Sequence, residues 1–250
     1  MLFPRSRFSH VIHFGRTHNT AVRSLLISGL AITVLASIQA NGAQAQTETP
    51  TPTPMVEPTL DPSGLDFSTA KLYTADNDIF EMQVPLGWTE NVILNKPDQF
   101  LAVLSYGDSA GIPPAFVSVS IGSTNNVFRS GDGSNITAPD AALKALIASQ
   151  TTATPRPGAP VITWGKVTAA KLGKLDAFTV TATVGPYPQS PQETRLQAWA
   201  AILPNGMAAE VSAQANTSLY DLARPTLNKM IDSLVFNGQN LALPTPTIAP

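Results

Sequence analysis

The sequence predicts an α+β fold, a central antiparallel sheet of roughly six to eight strands with helices packed against it. Three observations carry that expectation. Short runs alternate apolar and polar residues, the pattern of strands with one dry face and one wet face. Pro204-Asn205-Gly206 separates two apolar runs, and Asn-Gly in that position marks a hairpin because both residues tolerate positive φ. Two further segments, Leu143-Leu146-Ile147 and Leu219 to Leu234, repeat apolar residues at helical spacing.

Taken in order, Leu72-Tyr73-Thr74 predicts a short strand and Ala75-Asp76-Asn77-Asp78 a turn. Phe80, Met82 and Val84 then alternate with Glu81 and Gln83, and Pro85 and Gly87 stop the strand before Trp88. Gln99 to Tyr106 and Phe116 to Ile121 predict two more strands; in the second, Val117, Val119 and Ile121 alternate with Ser118 and Ser120. Thr137 with Asp140 three residues on reads as a helix N-cap, and the apolar spacing carries that helix to Gln150. After a Pro-rich loop from Thr151 to Pro160, a strand is expected around Val161 to Val167. Ala177 to Val184 sets Phe178, Val180, Ala182 and Val184 against three threonines, so one face is buried and the other polar. Arg195 to Leu203 and Met207 to Ala215 form the Asn-Gly hairpin. The last helix starts at Ser218. Pro225 cannot donate to Asp221, so a short first turn or a kink is expected, with the main helix from about Pro225 to Leu234.

A strand ending in Pro-x-Gly-Trp, Phe80 to Trp88, placed early in a domain that closes with Met230-Ile231-Asp232-Ser233-Leu234-Val235-Phe236, resembles the PsbP/Mog1/DcrB-like domains. The resemblance runs from Leu72 to Phe236 and suggests a bacterial exported member. It implies an α/β/α sandwich around a central antiparallel sheet, and it implies no shared catalytic residues. The alanine-rich first helix departs from the pattern.

The flanks read differently. Arg5, Arg7, Arg16 and Arg23 precede an uncharged apolar run from Leu25 to Ile38, and Ala43-Gln44-Ala45 supplies small residues where a signal peptidase reads, so residues 1–45 are expected to be a signal peptide cut before Gln46. The competing reading is a retained anchor, the one route by which this chain would meet a membrane; Gln39, Asn41 and Gln44 interrupt the roughly 20 apolar residues a span needs. Residues 46–64 are Pro/Thr-rich, as are residues 239–250, and proline at that density favours extended polyproline II over a packed element. A folded domain of residues 65–238 thus lies between a linker and a tail.

Loss of the leader changes the chemistry at hand. His10, His13 and His18 all lie in it and the chain has no cysteine, which leaves the mature protein without His or Cys. Disulfides, thiolate zinc sites, iron–sulfur clusters, cysteine nucleophiles and Ser-His mechanisms are thereby excluded. Four of the 15 basic residues leave and none of the 17 acidic ones does, so the balance moves from −2 to about −6. That charge argues against nucleic acid as a partner.

Several motifs invite a catalytic or metal reading. Gly107-Asp108-Ser109-Ala110-Gly111 matches the G-x-S-x-G nucleophile elbow, but Ile112-Pro113-Pro114 replaces the helix that should follow and no histidine comes later. Ser68 and Lys71 match S-x-x-K without the companion motifs. Asp76-Asn77-Asp78 and Asp132-Gly133-Ser134-Asn135 carry calcium-type oxygens without the twelve-residue loop of an EF-hand. Glu193 and Glu210 are the carboxylates a glycosidase pair would use, although their contexts read as solvated charges. Trp88, Trp164 and Trp199 read as core, and Asn135 and Asn216 open glycosylation sequons. No catalytic, cofactor or metal residue is assigned. The expectation is a non-catalytic secreted or surface module that binds a protein or envelope partner; the alternative is a histidine-independent hydrolase built on serine or paired carboxylates.

Overall fold

The computed structural model describes residues 62–96, 98–107, 114–128, 136–152, 159–187 and 191–237. Two antiparallel sheets organise them. β1 (Lys71–Thr74), β2 (Phe80–Val84) and β11 (Val235–Phe236) make a small sheet in the order β1-β2-β11. The large sheet has eight strands: β3 (Trp88–Lys96), β4 (Gln99–Tyr106), β5 (Ala115–Gly122), β10 (Ala208–Asn216), β9 (Thr194–Ile202), β8 (Leu175–Val184) and β6 (Ile162–Trp164) in that order, with β7 (Thr168–Leu172) also paired to β8. Helices are few: a single turn α1 (Thr124–Val127), α2 (Pro139–Thr152) and α3 (Thr217–Asp232).

The stretch from Phe80 to Trp88 is the hinge between the sheets. β2 ends at Val84, the chain turns at Leu86 and Gly87, and Trp88 opens β3 in the other sheet. Gly87 has φ +86°, a left-handed conformation that side chains with a Cβ resist, so glycine suits the turn. The Tyr73 hydroxyl of β1 donates to the Glu90 carboxylate of β3 across the same junction.

One face of the large sheet, with the small sheet and α3, encloses the main core. Val117, Val119, Trp199, Ala201, Val211 and Ala213 meet Leu219, Ala223, Leu227, Met230 and Ile231 of α3, and Phe80 and Met82 of β2. On the opposite face Val180, Ala198 and Ala200 pack with Ala142 and Leu143 of α2. Among the described residues each face therefore carries one long helix, and the molecule is mostly sheet. The expected antiparallel sheet is present, and the α/β/α sandwich that the resemblance implies goes no further than those two helices.

Several elements differ from the sequence reading. β3 lies outside the strands the sequence predicts: it is an edge strand with little burial, so its residues carry no apolar alternation. The strand expected at Val161 to Val167 is divided into β6 and β7 around Gly165. α2 begins with Pro139, later than a Thr137 cap would place it. In the hairpin, the Gly206 amide donates to Leu203 O at 2.8 Å and the Asn205 side chain accepts from the Met207 amide at 3.1 Å; Gly206 alone takes positive φ, at +81°. This is a three-residue connection with glycine at the left-handed position, not a two-residue Asn-Gly turn. α3 is one helix with Pro225 inside it. Apolar residues on both sides of the proline are buried, and that burial offsets the roughly 3 kcal/mol an interior proline costs.

Candidate functional site

The site is built on the polar side of β8. Its alternation sends Val180, Ala182 and Val184 to the α2 face and Thr179, Thr181 and Thr183 to the α3 face. Register then brings further polar groups beside the threonines: Thr183 lies opposite Arg195 of β9 and Thr163 of β6, and Thr181 lies opposite Gln197. The N-terminal half of α3 runs along this surface and contributes Tyr220 and Arg224, four apart and so on one helix face. Between strand and helix lies a recess of about 410 Å³, lined by Thr163, Thr181, Thr183, Arg195, Tyr220 and Arg224 together with Trp164, Gly165, Ala182 and Leu196.

The charges are arranged unevenly. The Arg195 guanidinium lies 5.5 Å from the centre of the Tyr220 ring and 3.7 Å from the Asp221 carboxylate. Arg224 has neither hydrogen bond nor ion pair among the described residues. Burial pushes the Tyr220 phenol up, and the nearby Arg224 and Arg195 charges oppose that shift. Thr179 is engaged, donating to Ala198 O at 2.8 Å and accepting from Gln197 Nε2 at 3.1 Å. The hydroxyls of Thr163, Thr181 and Thr183 have no partner among the described residues. The recess thus gathers hydroxyls, a phenol and two guanidiniums from four elements, and most of these groups are open to a ligand.

A second polar cluster lies on the other face of the same sheet, between β5 and β10. Glu210 is directly opposite Ser120, and Ser212 is opposite Ser118, with their hydroxyls 2.7 Å apart. Ser120 Oγ and Gln214 Oε1 are buried without a partner among the described residues. Glu210 is only partly exposed, and burial pushes its carboxyl up to about 7. Its reading as a solvated charge is therefore wrong: alternation with Val211 puts Glu210 on the opposite face from the main core, but that face is also largely closed to water, as the burial of Ser118, Ser120 and Ser212 shows.

The other residues singled out from the sequence do not converge on either place. Ser109, with most of its G-x-S-x-G match, and Asp132 to Asn135 lie outside the described residues. The Ser68 hydroxyl donates to Asp66 Oδ2 at 2.7 Å, and Lys71 belongs to β1 beyond that turn. Asp76 and Asp78 sit in a 3-10 turn, and no group of three or more acidic or histidine side chains able to hold a metal occurs among the described residues. Glu193 precedes β9 and bonds the Thr217 hydroxyl at 3.0 Å, whereas Glu210 pairs with Ala200 seven residues further along. At about 3.3 Å per residue the two are roughly 20 Å apart, too far for a glycosidase pair. Trp199 is in the main core; Trp88, which donates to Gly64 O at 2.8 Å, and Trp164 are partly buried against core clusters. The Asn216 amide donates to Gln192 Oε1 at 2.6 Å.

No protein-family model matches the chain, and no curated protein matches it in sequence. Solved structures do match. The solution structure of the cyanobacterial PsbP (CyanoP) from Synechocystis is 13% identical, with 69% of this chain and 95% of that one covered, at a TM-score of 0.44. The Ran-binding protein Mog1p of Saccharomyces cerevisiae is 12% identical, covering 69% of this chain and 97% of that one, also at 0.44. LpqN of Mycobacterium tuberculosis, involved in cell envelope biogenesis, is 15% identical, covering 66% of this chain and 89% of that one, at 0.34. The chain is thus similar to PsbP and Mog1, as residues 80–88 and 230–236 suggest. Identities this low bring no partner or activity with them.

Proposed function

We propose that the protein is an exported, non-catalytic binding module: a helix–sheet–helix sandwich of residues 65–238, carried between the Pro/Thr-rich segments 46–64 and 239–250, with the recess beside β8 as its ligand site. The observation that carries this is the set of polar groups converging there from separate elements, of which the Thr163, Thr181 and Thr183 hydroxyls and the Arg224 guanidinium have no partner among the described residues. Threonine hydroxyls, a phenol pushed up by burial and guanidiniums that stay protonated include no group that exchanges a proton near neutral pH. They are equipped to hold a ligand, not to transform it.

Export rests on the arginine-bearing leader and the Ala43-Gln44-Ala45 site. N-terminal sequencing of material recovered outside the cytoplasm is expected to begin at Gln46; a chain that still starts upstream of Leu25 would refute cleavage there. Among the described residues no helix is long and apolar enough to cross a membrane.

The ligand site has its own test. A photo-crosslinking residue in place of Thr181 is expected to form an adduct in the producing cell, and the same residue in place of Leu72, which is 64% exposed on the small sheet, is not. Equal or absent adducts at the two positions would remove the recess as the site.

A further inference from the structure

The recess also restricts what kind of molecule it holds, on the reading that it is the ligand site. We infer that its ligand is an acidic saccharide, whose charged group is taken by Arg224 and whose hydroxyls are taken by Thr163, Thr181 and Thr183. Arg195 is already shared between the Asp221 carboxylate and the Tyr220 ring. Asp221, the acid one turn back on α3, is within ion-pair distance of Arg195 and not of Arg224, so two guanidiniums face one carboxylate and the wall carries a net positive charge while the chain as a whole is acidic. A local guanidinium in an acidic protein selects an anionic group by contact, and a charge-assisted hydrogen bond is about twice as strong as a neutral one.

The rest of the wall selects for hydroxyls. Thr181 and Thr183 are two apart on β8 and project from the same face, about 7 Å from one another, and Thr163 lies across from Thr183. Each hydroxyl both donates and accepts, as a sugar hydroxyl does. A peptide anchored by apolar side chains would need pockets for them. The apolar residues at the recess do not provide them, because Ala182, Leu196 and Trp164 pack together in the cluster on the other face of the sheet. A peptide with apolar anchors is therefore not suited to the recess, and an acidic side chain or inorganic phosphate alone would satisfy Arg224 while leaving the threonine row unused.

The test uses ¹⁵N-labelled full-length protein titrated separately with trigalacturonate, neutral galactotriose, trialanine-flanked aspartate peptide and inorganic phosphate. Trigalacturonate is expected to shift the amides of Thr163, Thr181, Thr183 and Tyr220, with the other three probes at least tenfold weaker. Arg224→Gln, an exposed helix position, is expected to weaken trigalacturonate roughly tenfold, the size of one charged contact, with unchanged thermal midpoint; Arg224→Lys recovers part of the loss. Equal affinity for galactotriose would overturn selection of the charge, and equal affinity for the peptide or phosphate would overturn selection of the sugar. Silence with all four probes would overturn the saccharide while the Thr181 crosslink still stands; if that crosslink fails too, the site itself is wrong.

Discussion

Phe80→Ala is expected to lower the free energy of unfolding by about 3–5 kcal/mol, the cost of emptying a closed aromatic site. Phe80 is fully buried, and its ring centre lies 5.8 Å from that of Tyr73 on β1 and 6.0 Å from that of Phe100 on β4. It is therefore one of the contacts, with Met82, through which the small sheet is packed onto the large one. Urea unfolding reads the effect as a lower midpoint at unchanged slope. Leu72→Ala, on the same small sheet but 64% exposed, is the control and is expected to change stability by no more than about 0.5 kcal/mol. A loss below about 1 kcal/mol at Phe80 would mean that the junction is not close-packed.

Which parts were legible in the sequence follows from how each part is held. β4 and β10 read cleanly, because each is paired on both sides and carries a sustained apolar run. β3 did not, since an edge strand with one paired side and little burial has no reason to alternate. β2 does stop where Pro85 and Gly87 predict. That the chain leaves one sheet there and enters another is a fact of topology with no local signature. Pro225 is the reverse case: local chemistry argues for a break, and the buried stripe from Leu219 to Ile231 overrides it.

The recess was half visible. The three threonines of β8 are legible as a polar face, but Arg195 and Arg224 are far apart in sequence and reach one recess only because α3 packs back over β9 and β10. Ser118 and Ser120 have the pattern of a wet face and are buried nonetheless, as is Ser212 beside them. Alternation reports which residues share a side; whether that side is dry depends on what packs over it, and for a central strand both sides are covered.

Glu210 turns that last point into a pH effect. Its carboxyl is raised from an ordinary 4.5 to about 7 by burial, opposite an unpartnered Ser120 hydroxyl and beside Ala200 on the other neighbouring strand, with no cation at either register position. Between those two values the folded chain keeps the proton that the unfolded chain releases, so stability falls as pH rises through the window and is level above it. The size follows from the shift, about 3 kcal/mol at roughly 1.4 kcal/mol per unit. Glu210→Gln keeps the shape and the hydrogen-bonding capacity of the protonated acid without a charge to bury. At pH 5 the variant is expected to match the parent within about 1 kcal/mol; at pH 8 it is expected to be more stable by about 3 kcal/mol, because only the parent then carries the buried carboxylate. Urea unfolding of both proteins at the two pH values measures the difference, in which the remaining titrating groups cancel. A variant no more stable than the parent at pH 8 would show that water reaches the Glu210 carboxylate, and that this face of β10 is wet after all.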